Sequence, residues 1–274
     1  MKELNHHSKT KWIRKYVKEP REIENLNYLI KINFKLIPSI KTITQKYYII
    51  EKCKPIKPED FEPSHFYELY LNLLVPLHRF KRESFTPGVY KYFAQYNLSR
   101  ETNGQHYVPY IMNELEKIVQ NLLIHFPRLS EDTIFINLVR YLRYNTWYFE
   151  NWEPLGGYSL LHGDLHIGNI VKRDNNYLLI DFEYLRYGVV ELEVANLVIS
   201  SLIYHYKKNL NEEKLNNLNT EYLQICNTLP QIDSTLFKFF FIFSLSLFYL
   251  SLYIRGKHAE LEGIRKITKQ MLRT

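Results

Sequence analysis

The sequence predicts an α+β chain, and three observations carry that expectation. Bulky β-branched and aromatic runs lie near the N-terminus, apolar residues at helical spacing dominate after about residue 60, and one hairpin pattern interrupts the helices near residues 170–180. Lys11–Val17 alternates bulky residues as a strand does, and Arg21–Ile30 reads as a helix with Ile23, Leu26 and Ile30 on one stripe and Leu29 beside it. After Pro38, Lys46–Glu51 reads as another strand. The proline-punctuated connector Lys52–Pro58 is the candidate hinge. Phe66–Phe80 reads as a helix that closes on Pro76-Leu77-His78, where His78 is expected to be structural rather than chemical.

Composition bounds the answer. A chain of 274 residues, 46% hydrophobic and with only 9 Gly and 11 Pro, has room for one large domain or two lobes and is neither fibrous nor disordered. Cys53 and Cys226 are too few for a disulfide framework and lack metal-ligand spacing, which fits a reducing compartment. The first residues lack the apolar core of a secretory signal, so the expected location is cytoplasmic. The net charge of +7 resides wholly in residues 1–60, with fourteen Lys/Arg against seven Asp/Glu. These lysines are scattered and no nucleic-acid motif accompanies them, so a solvated surface beside an anionic ligand is preferred over a specific nucleic-acid partner. The apolar run Phe239–Ile254 has sixteen residues, three of them serines, and falls short of the roughly twenty needed to span hydrocarbon. It reads as a buried helix, with membrane contact a minor alternative.

The chemistry concentrates in residues 161–183, L-H-G-D-L-H-I-G-N-I-V-K-R-D-N-N-Y-L-L-I-D-F-E. Ile170-Val171 forms a short strand, Arg173–Asn176 supplies turn residues, and Tyr177–Ile180 returns. A hairpin here brings Asn169 and Asp181 side by side at its open end, although twelve positions separate them. An amide and a carboxylate oxygen together suit Mg²⁺, which keeps waters and substrate phosphates as its other ligands. Asp164 precedes Asn169 by five residues, on a loop where it faces a substrate hydroxyl rather than the metal. Base, amide ligand and carboxylate ligand in that order are the working parts of a phosphoryl-transfer site.

His162-Gly163-Asp164, Asn169 and Ile180-Asp181-Phe182 in this order resemble the catalytic core of the aminoglycoside phosphotransferase and choline kinase superfamily. The resemblance implies a protein-kinase-like two-lobe fold, with residues 1–54 a reduced nucleotide-binding N-lobe. Residues 55–274 would form a helical C-lobe that carries the catalytic loop and the metal-binding hairpin. It implies ATP or GTP bound between the lobes with Mg²⁺ on Asn169 and Asp181, Asp164 as the base, and a small-molecule hydroxyl as acceptor. Such folds grip the phosphates with a strand cation held by a helix glutamate. Arg14 and Lys15 are the candidate cations on opposite strand faces. Arg14 is preferred because it follows Trp12-Ile13 as the family's basic residue follows two apolar ones, and Lys15 stays a candidate. Glu22 is preferred over Glu24 because Glu22, Leu26 and Leu29 match the family's helix pattern. The backbone of Glu51-Lys52-Cys53 would contact the base. His162 would brace the loop, His166 would order it, and Glu193 stands where the family anchors the loop with an aspartate.

One departure matters. A Gly-rich flap between two strands takes roughly twenty residues, yet about ten precede the first strand and no glycine occurs before Gly88. The chain is expected to have a truncated N-lobe, to begin late, or to be a nucleotide-binding pseudokinase. Asp164, Asn169 and Asp181 together favour an active enzyme. Choline-like, aminoglycoside-like and other hydroxylated acceptors stay open, as do a protein or membrane-associated acceptor and the oligomeric state.

Overall fold

The computed structural model describes residues 12–56, 62–86, 106–207 and 212–272. Lys11, Lys57, Pro58 and Gly88, which entered the expectations above, lie outside them. In chain order the elements are β1 (Trp12–Tyr16), α1 (Pro20–Lys31), β2 (Ile40–Ile43), β3 (Tyr47–Glu51), β4 (Lys54–Pro55), α2 (Pro63–Leu69) and α3 (Val75–His78), the last two joined by a π-helical stretch at Tyr70–Leu74. β5 (Lys81–Arg82), α4 (Tyr107–His125), α5 (Thr133–Thr146), β6 (Tyr158–Leu161), β7 (Ile170–Arg173), β8 (Asn176–Leu179) and β9 (Arg186–Gly188) follow. α6 (Val190–Lys207), α7 (Glu212–Cys226), α8 (Ser234–Ile254) and α9 (His258–Met271) complete the chain. The fold is α+β, as the sequence predicts.

Two compact units emerge. One comprises the chain up to Ile56 together with Gly168–Glu183; the other comprises Lys57–Ile167 and Tyr184–Thr274. The expected division left the hairpin with residues 55–274. Contacts group it instead with the N-terminal strands, because β4 in the supposed connector pairs antiparallel with β7, Pro55 opposite Val171. Proline is tolerated there because β4 is the edge of the β4-β7-β8 sheet and its missing N–H breaks no inner ladder.

In the first unit β3 is the centre of a β1-β3-β2 antiparallel sheet. α1 starts with Pro at its first turn, where the absent N–H is no loss. It ends at Asn33 in the left-handed region (φ 59°), with the Phe34 N–H returning to the Leu29 carbonyl at 2.9 Å. Its buried stripe is Glu22, Leu26 and Leu29, whereas Ile30 is half exposed, which corrects the expected Ile23–Leu26–Ile30 face. The helix has turned to bury the Glu22 carboxylate.

In the second unit β6 is buried at every position and lies central in the sheet β5-β6-β9, which the sequence reading missed. α8 is capped by Asp233, whose side chain accepts the Leu236 N–H at 2.8 Å. It is long and apolar enough to cross a membrane by length and composition, but 78% of its most apolar window is buried within the protein. It packs against α5, α6 and α9 as the core helix of this unit.

Candidate active site

The hairpin β7–β8 turns through Asp174-Asn175, with Asp174 at φ 53°, and pairs Ile170 with Leu179 through Arg173 with Asn176. Beyond the last pair, the Ile180 N–H reaches the Asn169 carbonyl at 3.0 Å. That bond closes the open end and holds Asn169 opposite the residue before Asp181. Asn169 is buried. Asp181 sits at φ 72°, a region that L-residues other than Asn and Asp rarely occupy and that costs on the order of 1–3 kcal/mol.

Lys15 is the cation that meets this carboxylate. Its Nζ donates to Asp181 Oδ1 at 2.6 Å and to Glu22 Oε1 at 2.8 Å. Burial acts to lower the Lys15 pKa, but the hydrogen bonds to Asp181 and Glu22 outweigh it and hold the ammonium above the usual lysine value. The Tyr48 hydroxyl donates to the same Glu22 oxygen at 2.7 Å, and burial together with that carboxylate pushes the phenol's pKa far up. Of the two candidate cations, Lys15 rather than Arg14 is the one that meets Glu22. Arg14 is on the exposed face of β1 with its guanidinium over the Tyr47 ring, 4.6 Å from the centroid, and strand alternation forbids both neighbours facing Glu22. Glu24 is exposed, whereas Glu22 is buried. Replacing Lys15 by alanine is therefore expected to weaken nucleotide affinity about ten- to hundredfold, the worth of a charge-assisted contact. Arg14→Ala should leave it within about twofold. Calorimetric titration of both variants checks the assignment, and the reverse ranking would restore Arg14.

The Glu51 side chain accepts from Arg173 Nη1 at 3.0 Å and from the Ser39 N–H at 3.1 Å, and the Glu51 N–H is bonded to the Ser39 carbonyl. Burial opposes it, yet Ser39 and Arg173 hold this carboxyl below its ordinary pKa. The Glu51 N–H and carboxylate thus serve the first unit's framework. Cys53 is half-buried, with burial and then Glu51 raising its thiol pKa.

Asp164 belongs to the second unit. β6 delivers the chain to His162, which is fully buried, and Gly163 turns it at φ 83°. A Cβ on Gly163 would lie 1.9 Å from the Tyr184 carbonyl oxygen, so only glycine fits this turn. The Gly163 N–H donates to Glu193 Oε1 at 2.9 Å, and His78 Nε2 bonds Glu193 Oε2 at 2.8 Å. The longer glutamate thus reaches the loop backbone, and His78 is the buried brace behind it. His166 Nε2 lies 3.9 Å from Asp164 Oδ2, an electrostatic neighbour rather than a hydrogen-bond partner.

The donor set fits Mg²⁺. Asn169 can offer its amide oxygen and Asp181 its carboxylate oxygens, and Lys15 shared between two carboxylates leaves one net negative charge among the three groups. Two contacts at the candidate site escaped the sequence reading: the Tyr48 hydroxyl on Glu22, and Asn25 Nδ2, which donates to the Phe182 carbonyl at 2.6 Å. Position alone carried a signal, since Asn25 follows Glu22 by three residues and shares its helix face.

The profile of the Phosphotransferase enzyme family matches residues 45–224. Among solved structures, a substituted variant of a thermostable mutant of aminoglycoside phosphotransferase APH(4)-Ia in ternary complex with ADP and hygromycin B superposes with TM-score 0.58 at 10% identity, covering 96% of this chain and 85% of that one. An amicoumacin kinase, hAmiN, in complex with AMP-PNP, Ca²⁺ and Ami gives 0.55 at 14% identity, with 95% and 82% covered. A Plasmodium vivax ethanolamine kinase gives 0.52 at 18% identity, with 95% and 76% covered. At such identities the likeness establishes a kinase-like fold. No curated protein sequence matches significantly.

Proposed function

Because this chain belongs to the Phosphotransferase enzyme family, we propose that it transfers the γ-phosphoryl group of ATP to a hydroxyl of a small molecule. The observation that carries the reading is the Lys15 ammonium held by both Glu22 and Asp181 beside the Asn169 end of the hairpin. Lys15 grips the nucleotide phosphates, Glu22 holds Lys15 in place, and Asn169 with Asp181 would hold Mg²⁺. When bound there, Mg²⁺ supplies charge neutralisation on the phosphate oxygens. Asp164, five residues before Asn169, orients the acceptor hydroxyl and takes its proton. The transition state is loose, so positioning and fixed charge supply most of the acceleration. Ligands named for the similar structures, among them ADP, AMP-PNP and hygromycin B, support a nucleotide and a hydroxylated acceptor here.

A thermal-shift titration with ATP and GTP, each with and without Mg²⁺, tests the first half. A hundredfold excess over Kd should raise Tm by about 5–10 °C, and only with Mg²⁺ at full size. An ADP-release assay over aminoglycosides, choline, ethanolamine and sugars tests the second half. Nucleotide binding without release on any acceptor, and without hydrolysis, would replace the enzyme reading by that of a nucleotide-binding module. No shift with either nucleotide would sink both.

A further inference from the structure

We infer that Asn25 is a positioning residue for the Asp181 carboxylate, acting through the backbone that follows it; the inference rests on the reading of Asp181 as a metal ligand. Asp181 occupies an unfavourable backbone conformation (φ 72°), and such a conformation persists only where its surroundings over-determine it. On the N-terminal side, the Ile180 N–H is fixed to the Asn169 carbonyl at 3.0 Å. On the C-terminal side, Asn25 Nδ2 donates to the Phe182 carbonyl at 2.6 Å, and the Phe182 ring is buried. Between these two clamps the carboxylate itself meets Lys15.

Asn25 and Glu22 are three residues apart on α1, hence neighbours on one face. One rigid helix therefore carries both the group that aligns the phosphate-gripping ammonium and the group that fixes the chain beyond the metal carboxylate. The two must keep register with each other, since α1 cannot shift one without the other. Lys15 touches the Asp181 oxygen and must release part of that contact when a cation arrives, whereas the Asn25 bond lies on the backbone and persists. The Asn25 bond is thus the restraint suited to hold Asp181 aimed while its charge partner changes. Residues that orient a metal ligand in this manner typically cost ten- to a hundredfold in metal affinity when removed.

The test is calorimetric titration of a non-hydrolysable ATP or GTP analogue over a range of Mg²⁺ concentrations, on wild type, Asn25→Asp and Asn25→Ala. Asn25→Asp keeps the shape and replaces the donor with a carboxylate facing the Phe182 carbonyl; Asn25→Ala removes the donor without adding charge, and stands in if the first variant does not fold. The half-saturating Mg²⁺ concentration is expected to rise about tenfold or more, with analogue affinity in EDTA unchanged. A merely structural residue would lower Tm and both affinities together, so an equal loss in EDTA and in Mg²⁺ overturns the inference. So does an unchanged Mg²⁺ requirement in a variant that binds. If wild type itself shows no Mg²⁺-dependent binding, the metal reading of Asp181 fails first and the inference falls with it.

Discussion

Asp181→Ala is expected to abolish Mg²⁺-dependent nucleotide binding, and Asp181→Asn to do nearly the same with the fold better preserved. The carboxylate is the only formally charged member of the proposed ligand pair, so its loss should exceed the ten- to hundredfold effect of residues that merely orient a ligand. Two structural side effects differ between the variants. Alanine tolerates φ 72° poorly, whereas asparagine occupies the left-handed region readily. Apo Tm should therefore fall more for Asp181→Ala than for Asp181→Asn. Loss of the Lys15–Asp181 ion pair itself should cost little, because about a third of each side chain remains exposed and the pair is screened by solvent. Thermal shift and calorimetry, with and without Mg²⁺, separate these effects. Loss of the Mg²⁺ response in both variants, with only the alanine apo Tm markedly reduced, is the expected pattern. Undiminished binding would remove Asp181 from the metal shell.

The candidate site was legible in the sequence where chemistry and turn residues coincide within one short segment. Asn169 and Asp181 needed only a hairpin to come to one end, and Asp174-Asn175 is the kind of pair that makes one; Asp164 was read from its place five residues before Asn169. The choice between Arg14 and Lys15 was not legible. Period-2 alternation says that they face opposite ways but is silent on which face turns inward; that depends on α1, which buries Glu22 against β1 and β3 through Lys15 and Tyr48. The same carboxylate misled the helix face. Counting only apolar residues made Ile30 part of the stripe, while the actual stripe includes a charge, compensated by an ammonium and a phenol. β4, β5 and β9 escaped because strands of two or three residues carry no measurable alternation. β6 escaped because it is buried throughout, so Tyr158–Leu161 reads as a plain apolar run. Glu193 shows the limit of motif matching in the other direction. It departs from the family's aspartate, yet its carboxylate reaches both the Gly163 N–H and His78.

Asp164→Asn is expected to lower kcat by on the order of 10²–10⁴, the usual worth of a positioned proton acceptor, while nucleotide still binds with wild-type affinity. The loop should keep its shape without this carboxylate. Its course is set upstream by the buried His162, by Gly163 in a conformation only glycine fits, and by the bond from the Gly163 N–H to Glu193. The amide is isosteric, and the His166 nitrogen 3.9 Å from the carboxylate is an electrostatic neighbour rather than a hydrogen-bond partner. Lys15, Glu22, Asn169 and Asp181 belong to the other compact unit, so the groups proposed to hold nucleotide and metal should be unaffected. A fall in kcat with nucleotide KM unchanged is the signature of an interaction made in the transition state alone. With the acceptor found in the screen, steady-state kinetics on Asp164→Asn and Glu193→Gln distinguish the roles. The first should lose kcat without loss of Tm. The second, whose carboxylate is buried against His78 and the loop backbone, should lose Tm as well. Full activity in Asp164→Asn would leave the proton with solvent or with the phosphate itself, and the base assignment would fall.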